Sequence, residues 1–255
     1  MQLRLVLALA VLPLLPALPA TAQTEPPGAA ATTLAAAHLA SLVDMPMFLR
    51  LYRARLPQGR QVPYEGSSTM LYDLAGEATI ADEKVEGDLH RETRHLAEGE
   101  GLFIAAGEAV TIAATGPRPL DLVLILLTAR PNQRRALLPR PAVVGELFRT
   151  PDPLPGLQQG PYQFTLSRVT LPRHGAAGSP YSRSGAALDY VLAGAAALTA
   201  DGKTETVASG MPLFERFGWV HRLVNPGAEP LVLLQANVSQ EGASAVQPVA
   251  EGGVH

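Results

Sequence analysis

The chain has 255 residues, 47% apolar and 17% charged, enough apolar material for one large domain or two small ones, which excludes a disordered chain. A formal charge of −3 on a mixed surface lacks the basic excess that a phosphate backbone demands, which argues against nucleic acid as a partner. The absence of cysteine rules out disulfides, thiolate metal sites, a cysteine nucleophile and a lipidated cysteine anchor.

In chain order, Arg4, an apolar run over 5–18 and the small-x-small trio Ala20-Thr21-Ala22 predict a signal peptide over 1–22, cut before Gln23. That run is short and interrupted by Pro13, Pro16 and Pro19, and no later stretch reaches bilayer length, so no membrane span is expected after cleavage. Export without cysteine fits a periplasmic or secreted bacterial protein. Residues 23–46 read as a linker, with an Ala-rich segment expected to form a short helix capped by Thr32 or Thr33. Residues 47–129 carry short, β-rich runs at 47–56, 103–114 and 120–128. A Pro-rich connector follows over 130–160, with a helical turn expected near 143–148. A second β-rich unit occupies 161–240, with runs at 162–171, 188–192, 220–224 and 231–238, and composition makes 241–255 a flexible tail. Long amphipathic helices are missing, so the class is all-β, a sandwich or barrel.

The two units repeat one another. Leu56-Pro57, Pro63-Tyr64 and Tyr72-Asp73-Leu74-Ala75-Gly76 recur in order as Leu171-Pro172, Pro180-Tyr181 and Tyr190-Val191-Leu192-Ala193-Gly194. Gly99 and Gly107 recur at the same interval as Gly210 and Gly218. Glycine at such places suits tight hairpins, which need a residue tolerant of positive φ.

At these residues the chain resembles the cupin superfamily, in its two-domain bicupin form, over roughly 47–237. The resemblance implies two tandem jelly-roll β-barrels joined by the Pro-rich connector. Tyr190 to Gly194 match the end of the family's first motif, and Gly210, Gly218, His221 and Asn225 its second. The family's metal ligands, two His and a Glu of the first motif and a His of the second, are largely replaced. In the second unit they fall on Tyr181, Arg183, Ala187 and His221; in the first, on Pro63, Glu65, Thr69 and Val110. A first-row metal ion needs several imidazole or carboxylate donors at about 2 Å, so no bound cofactor is expected; a divalent metal held by an atypical set is the alternative.

His221 is the one retained ligand-type position, readable as a pocket base, a lone ligand or a half-buried structural histidine. Strand alternation puts Tyr181, Arg183 and Asp189 with it on an inward face. These four either line a pocket for a small polar or anionic ligand or, through an Arg183–Asp189 ion pair, plug the barrel. Glu65 and Asp73 are inward by the same count in the first unit, as paired carboxylates or as solvated rim groups. His90 and His95 with Asp88, Glu92 or Glu98 are either a metal-binding hairpin or a charged one in solvent. Trp219, Phe214 and Phe217 are candidates for an aromatic wall or for core. The expected function is non-catalytic, ligand binding or structural; a metal-dependent cupin enzyme is the alternative. The apolar run 120–127 is either a homodimer seam or a buried core strand.

Overall fold

Alternating apolar residues between glycine and proline turns produce nineteen strands and no helix among the described residues, which in this computed structural model are 28–40, 45–82, 92–129, 137–175 and 179–249. The predicted signal peptide lies outside them. The first strand is β1 (Ala30–Leu39). The first unit then comprises β2 (Phe48–Leu56), β3 (Gln61–Glu65), β4 (Ser68–Ala75), β5 (Glu77–Asp82), β6 (Thr93–Ala97), β7 (Gly101–Ile104), β8 (Ala109–Ala114) and β9 (Leu120–Thr128), followed by β10 (Val143–Arg149). The second comprises β11 (Tyr162–Leu171), β12 (Tyr181–Arg183), β13 (Ala186–Ala193), β14 (Ala195–Ala200), β15 (Lys203–Ala208), β16 (Pro212–Glu215), β17 (Arg222–Val224) and β18 (Leu231–Gln240), followed by β19 (Val246–Pro248).

Each unit has a five-stranded antiparallel sheet, β10-β2-β9-β4-β7 in the first and β1-β11-β18-β13-β16 in the second. The first is faced by the sheet β3-β8-β5-β6, the second by β15-β14-β17 and the pair β12-β19. The continuous apolar run of β9 reflects burial on both faces. Leu120, Leu122, Leu124 and Leu126 fill the interior of barrel 1, while Val123, Ile125 and Leu127 face the second barrel. On β18, Leu231 and Leu233 turn into barrel 2, and Leu234, Ala236 and Val238 turn to the same seam. The run 120–127 is thus covered within the chain, by its own second barrel, and is not an exposed dimer seam.

The first and tenth strands change places. β1 precedes barrel 1 in sequence but pairs along β11 of barrel 2, from Ala30↔Thr170 to Leu39↔Tyr162. β10 precedes barrel 2 but pairs along β2 of barrel 1, from Val143↔Arg55 to Arg149↔Arg50. The helix expected in the Ala-rich segment is therefore a strand, as is the helical turn expected near 143–148. Alanine's helical preference is weak beside the row of unpaired N–H and C=O groups on a sheet edge. A bulge at Leu34 then sets Leu34, Ala35, Ala37 and Leu39 against the seam cluster. Within the predicted flexible tail, β19 pairs with β12 and Val246 is buried in the barrel 2 core.

Candidate functional site

The interior of barrel 2 gathers side chains from four elements. Tyr181 and Arg183 come from β12, whose backbone is fixed on one side by β19 and on the other by reciprocal 2.9 Å hydrogen bonds between Tyr181 and His221. Asp189 projects from β13 between the inward Ala187 and Val191. Glu215 ends β16 directly across from Ala187, and Gln235 on β18 stands across from Asp189. Gly185, between β12 and β13, lets the chain press against β18: a Cβ there would lie 1.9 Å from the Val238 carbonyl oxygen.

These groups form a buried polar cluster in which the Tyr181 hydroxyl and Asp189 Oδ2 have no hydrogen-bond partner. Arg183 donates from Nε and Nη2 to the two oxygens of Glu215, at 2.6 and 3.1 Å. The His221 Nε2 atom lies 3.0 Å from Glu215 Oε2, while Nδ1 lies 2.9 Å from the Trp219 carbonyl oxygen. Because a carbonyl only accepts, Nδ1 carries a hydrogen, and the Nε2 contact is a hydrogen bond to the carboxylate when a second ring proton is present. Gln235 Nε2 donates to Asp189 Oδ1 at 2.8 Å. The Tyr181 ring meets His221 edge-on at 4.3 Å, and Trp219 stacks on its other side at 4.9 Å. Arg183, Asp189, Glu215 and Tyr181 are all 0% exposed, and His221 1%.

Burial alone would raise the Glu215 carboxyl, but the Arg183 charge and the hydrogen bonds from His221 and Arg183 outweigh it and hold Glu215 well below the usual carboxylate range. Burial, reinforced by the charge and hydrogen bonding of Glu215, pushes Asp189 well above that range. Burial and then the charge of Glu215 likewise raise the Tyr181 hydroxyl.

The structure thus brings Tyr181, Arg183, Asp189 and His221 together on the inward face, as strand alternation predicts, and encloses them completely. Glu215 is the member that sequence reasoning missed, and it, rather than Asp189, takes Arg183. Its signal was slight: a carboxylate two residues after the inward Leu213, in a four-residue strand between Gly210 and Gly218. Of the aromatic candidates, Trp219 borders the network, Phe214 packs on Phe148, and Phe217 is 42% exposed.

Barrel 1 repeats the pairing geometry with apolar residues at the positions of Glu215 and His221. The pairing Tyr181↔His221 is matched by Tyr64↔Val110, and Ala187↔Glu215 by Thr69↔Ile104. Tyr64 closes this interior by bonding its hydroxyl to Thr69 Oγ1 at 2.5 Å. Glu65 is exposed, not inward: the connection from Tyr64 to Thr69 is one residue shorter than that from Tyr181 to Ala187, so counting back from Tyr72 shifts the parity. Asp73 is buried, and burial pushes its carboxyl up to about 6. His95 and Glu92 are exposed on or beside β6, and His90 and Asp88 lie outside the described residues. Among the described residues no three His, Asp or Glu side chains are grouped so as to hold a metal ion. A cavity of about 420 Å³ lies at the seam, between Leu74 and Asp121 of barrel 1 and Tyr190 and Ser209 of barrel 2.

Two jelly-roll barrels packed through their five-stranded sheets, with the paired Tyr-to-Gly turns of the repeat, define the two-barrel form of the cupin fold. Solved structures agree. Oxalate decarboxylase from Bacillus subtilis, a protein with Mn(II) centers, is 13% identical, with a TM-score of 0.58 over 84% of this chain and 74% of that one. The Lactobacillus farciminis oxalate decarboxylase, solved as a formate complex, is also 13% identical, with a TM-score of 0.57 over 78% and 79%. AerE from Microcystis aeruginosa is 10% identical, with a TM-score of 0.52 over 74% and 87%. At these identities the likeness is one of fold. No protein-family model and no curated protein sequence matches the chain.

Proposed function

We propose that this is an exported, non-catalytic bicupin that binds a small polar or anionic molecule and whose ligand positions in barrel 2 have been converted to a fixed ionic cluster. The observation that carries the reading is the bidentate Arg183–Glu215 pair, buried with His221 where the family pattern places its metal ligands. The donor set does not suit a divalent metal. Its one imidazole shares its Nε2 contact with Glu215, and both Glu215 oxygens accept from Arg183. A second cation beside the Arg183 guanidinium would also meet direct repulsion. The leader over 1–22 supports export to the periplasm or beyond.

The enzymatic alternative draws on the fold neighbours, several of which are oxalate decarboxylases. The two readings part on metal content. The purified chain, incubated with Mn(II) and dialysed, is expected to hold far less than one metal per chain by plasma mass spectrometry and to leave oxalate unchanged. About one metal per chain, lost in His221→Ala, would overturn the non-catalytic reading.

A further inference from the structure

We propose that the ligand site lies at one end of the barrel seam rather than inside barrel 2, and that it takes a small carboxylate with a short apolar body. The proposal rests on reading the protein as a binder, and it starts from a broken symmetry. Aligning Leu56 with Leu171 makes Arg53 on β2 the counterpart of Arg168 on β11. At one end of the seam Arg168 crosses to barrel 1, donating from Nη2 to the Tyr72 hydroxyl at 3.0 Å and the Gly99 carbonyl at 2.8 Å, and that end is closed. The counterparts of Tyr72 and Gly99 at the other end are Tyr190 and Gly210.

There Arg53 also reaches the Tyr190 hydroxyl, but weakly. It is held by Asp121, which accepts from Nε at 2.8 Å and from Nη2 at 2.7 Å. The residue equivalent to Asp121 in barrel 2 is Val232, so the closed end has no such carboxylate. A half-open pocket of about 420 Å³ lies at this point. Asp121 also accepts from Arg55 Nε at 2.9 Å, so two guanidinium groups share one carboxylate. Arg53 Nη1 lies outside the pair with Asp121, and the Tyr190 hydroxyl borders the same space. Leu74 and Leu192 form a small apolar wall. A carboxylate on Arg53, with its carbon chain along that wall, satisfies both chemistries.

The test uses the full chain with butyrate as probe and butyramide as its uncharged control. Butyrate at ten times its dissociation constant is expected to raise the melting temperature by about 3 °C, and butyramide to leave it unchanged. Arg53→Gln should weaken butyrate binding by about tenfold or more, the loss expected for one charge-assisted contact. Arg168→Gln, which loosens the closed end of the same seam, should not. No stabilisation by butyrate at millimolar concentration overturns the proposal. So does equal weakening by both substitutions, which would report a general loosening of the seam. Failure here leaves the metal measurement untouched, so the seam site and the non-catalytic reading fall or stand separately.

Discussion

Removing the Glu215 carboxylate tests whether barrel 2 is sealed. In Glu215→Ala the Arg183 guanidinium, 0% exposed, loses both of its Glu215 hydrogen bonds. Breaking a buried ion pair by deleting one partner costs about 3–5 kcal/mol, because the surviving charge is left desolvated. Asp189 is close enough to feel Arg183 and can ionise to replace the lost carboxylate in part, so the lower end of that range is expected near neutral pH. Adding Asp189→Asn removes the substitute and should restore the full cost. For a chain of this size the single loss amounts to a fall in melting temperature of roughly 6–12 °C. The double variant Arg183→Met, Glu215→Leu removes both charges. It should return to within about 2 kcal/mol of the parent, since apolar replacement of a buried pair is often neutral or better, and His221 then lacks one hydrogen bond worth about 1 kcal/mol. Urea unfolding followed by circular dichroism measures all four proteins. A cost below about 1 kcal/mol for Glu215→Ala would mean that water reaches the guanidinium and would refute the closed-barrel argument.

Asp73 gives a pH signature. Its folded pKa, about 6, exceeds the unfolded 3.8, so between these values the folded state keeps a proton that the unfolded chain has lost, and stability falls as pH rises. Asp73→Asn should therefore stabilise the protein by up to about 3 kcal/mol at pH 7, with the gain vanishing near pH 4, as read from urea midpoints across pH. Gly185→Ala should cost about 3 kcal/mol or more, because the added Cβ meets the Val238 carbonyl at 1.9 Å and β18 cannot retreat from its place in the sheet. A melting temperature within a degree of the parent would contradict that packing. Arg168→Met should cost about 1–3 kcal/mol by leaving the Gly99 carbonyl and Tyr72 hydroxyl without their shared donor, measurable by the same unfolding assay.

The fold was legible where backbone geometry and burial impose residue types. Gly76 and Gly194 follow the two Tyr-to-Ala strands with φ of 111° and 81°, a conformation that other residues adopt at a cost, so the repeat survives in the sequence. β9 and β18 are apolar on both faces because each separates a barrel interior from the seam. β1 was illegible because nothing in an alanine-rich segment marks a strand; the instruction resides in the free edge of β11, more than a hundred residues away. Tyr181, Arg183 and His221 were reached through the spacing of the two motifs, and Asp189 by strand alternation from Tyr181. Glu65 was misplaced because a one-residue difference in loop length inverts strand parity. Glu215 sits on a strand too short to show a period, and its importance comes from standing across from Ala187 rather than from any local pattern.

The comparison between the barrels bears on why the ionic cluster is there at all. Barrel 1 reaches the same register with Ile104 and Val110 where barrel 2 has Glu215 and His221, and its core closes through a single Tyr64–Thr69 hydrogen bond. The fold therefore does not require charges at these positions, and an apolar solution exists within the same chain. Burying a guanidinium, a carboxylate and an imidazole is no cheaper than burying isoleucine and valine, so stability alone does not account for them. The strand exchange and the apolar seam supply support that barrel 2 does not have to provide from its own interior. That arrangement leaves the interior of barrel 2 free to hold the buried Arg183–Glu215–His221 cluster, a polar interior that barrel 1 does without at the matching positions.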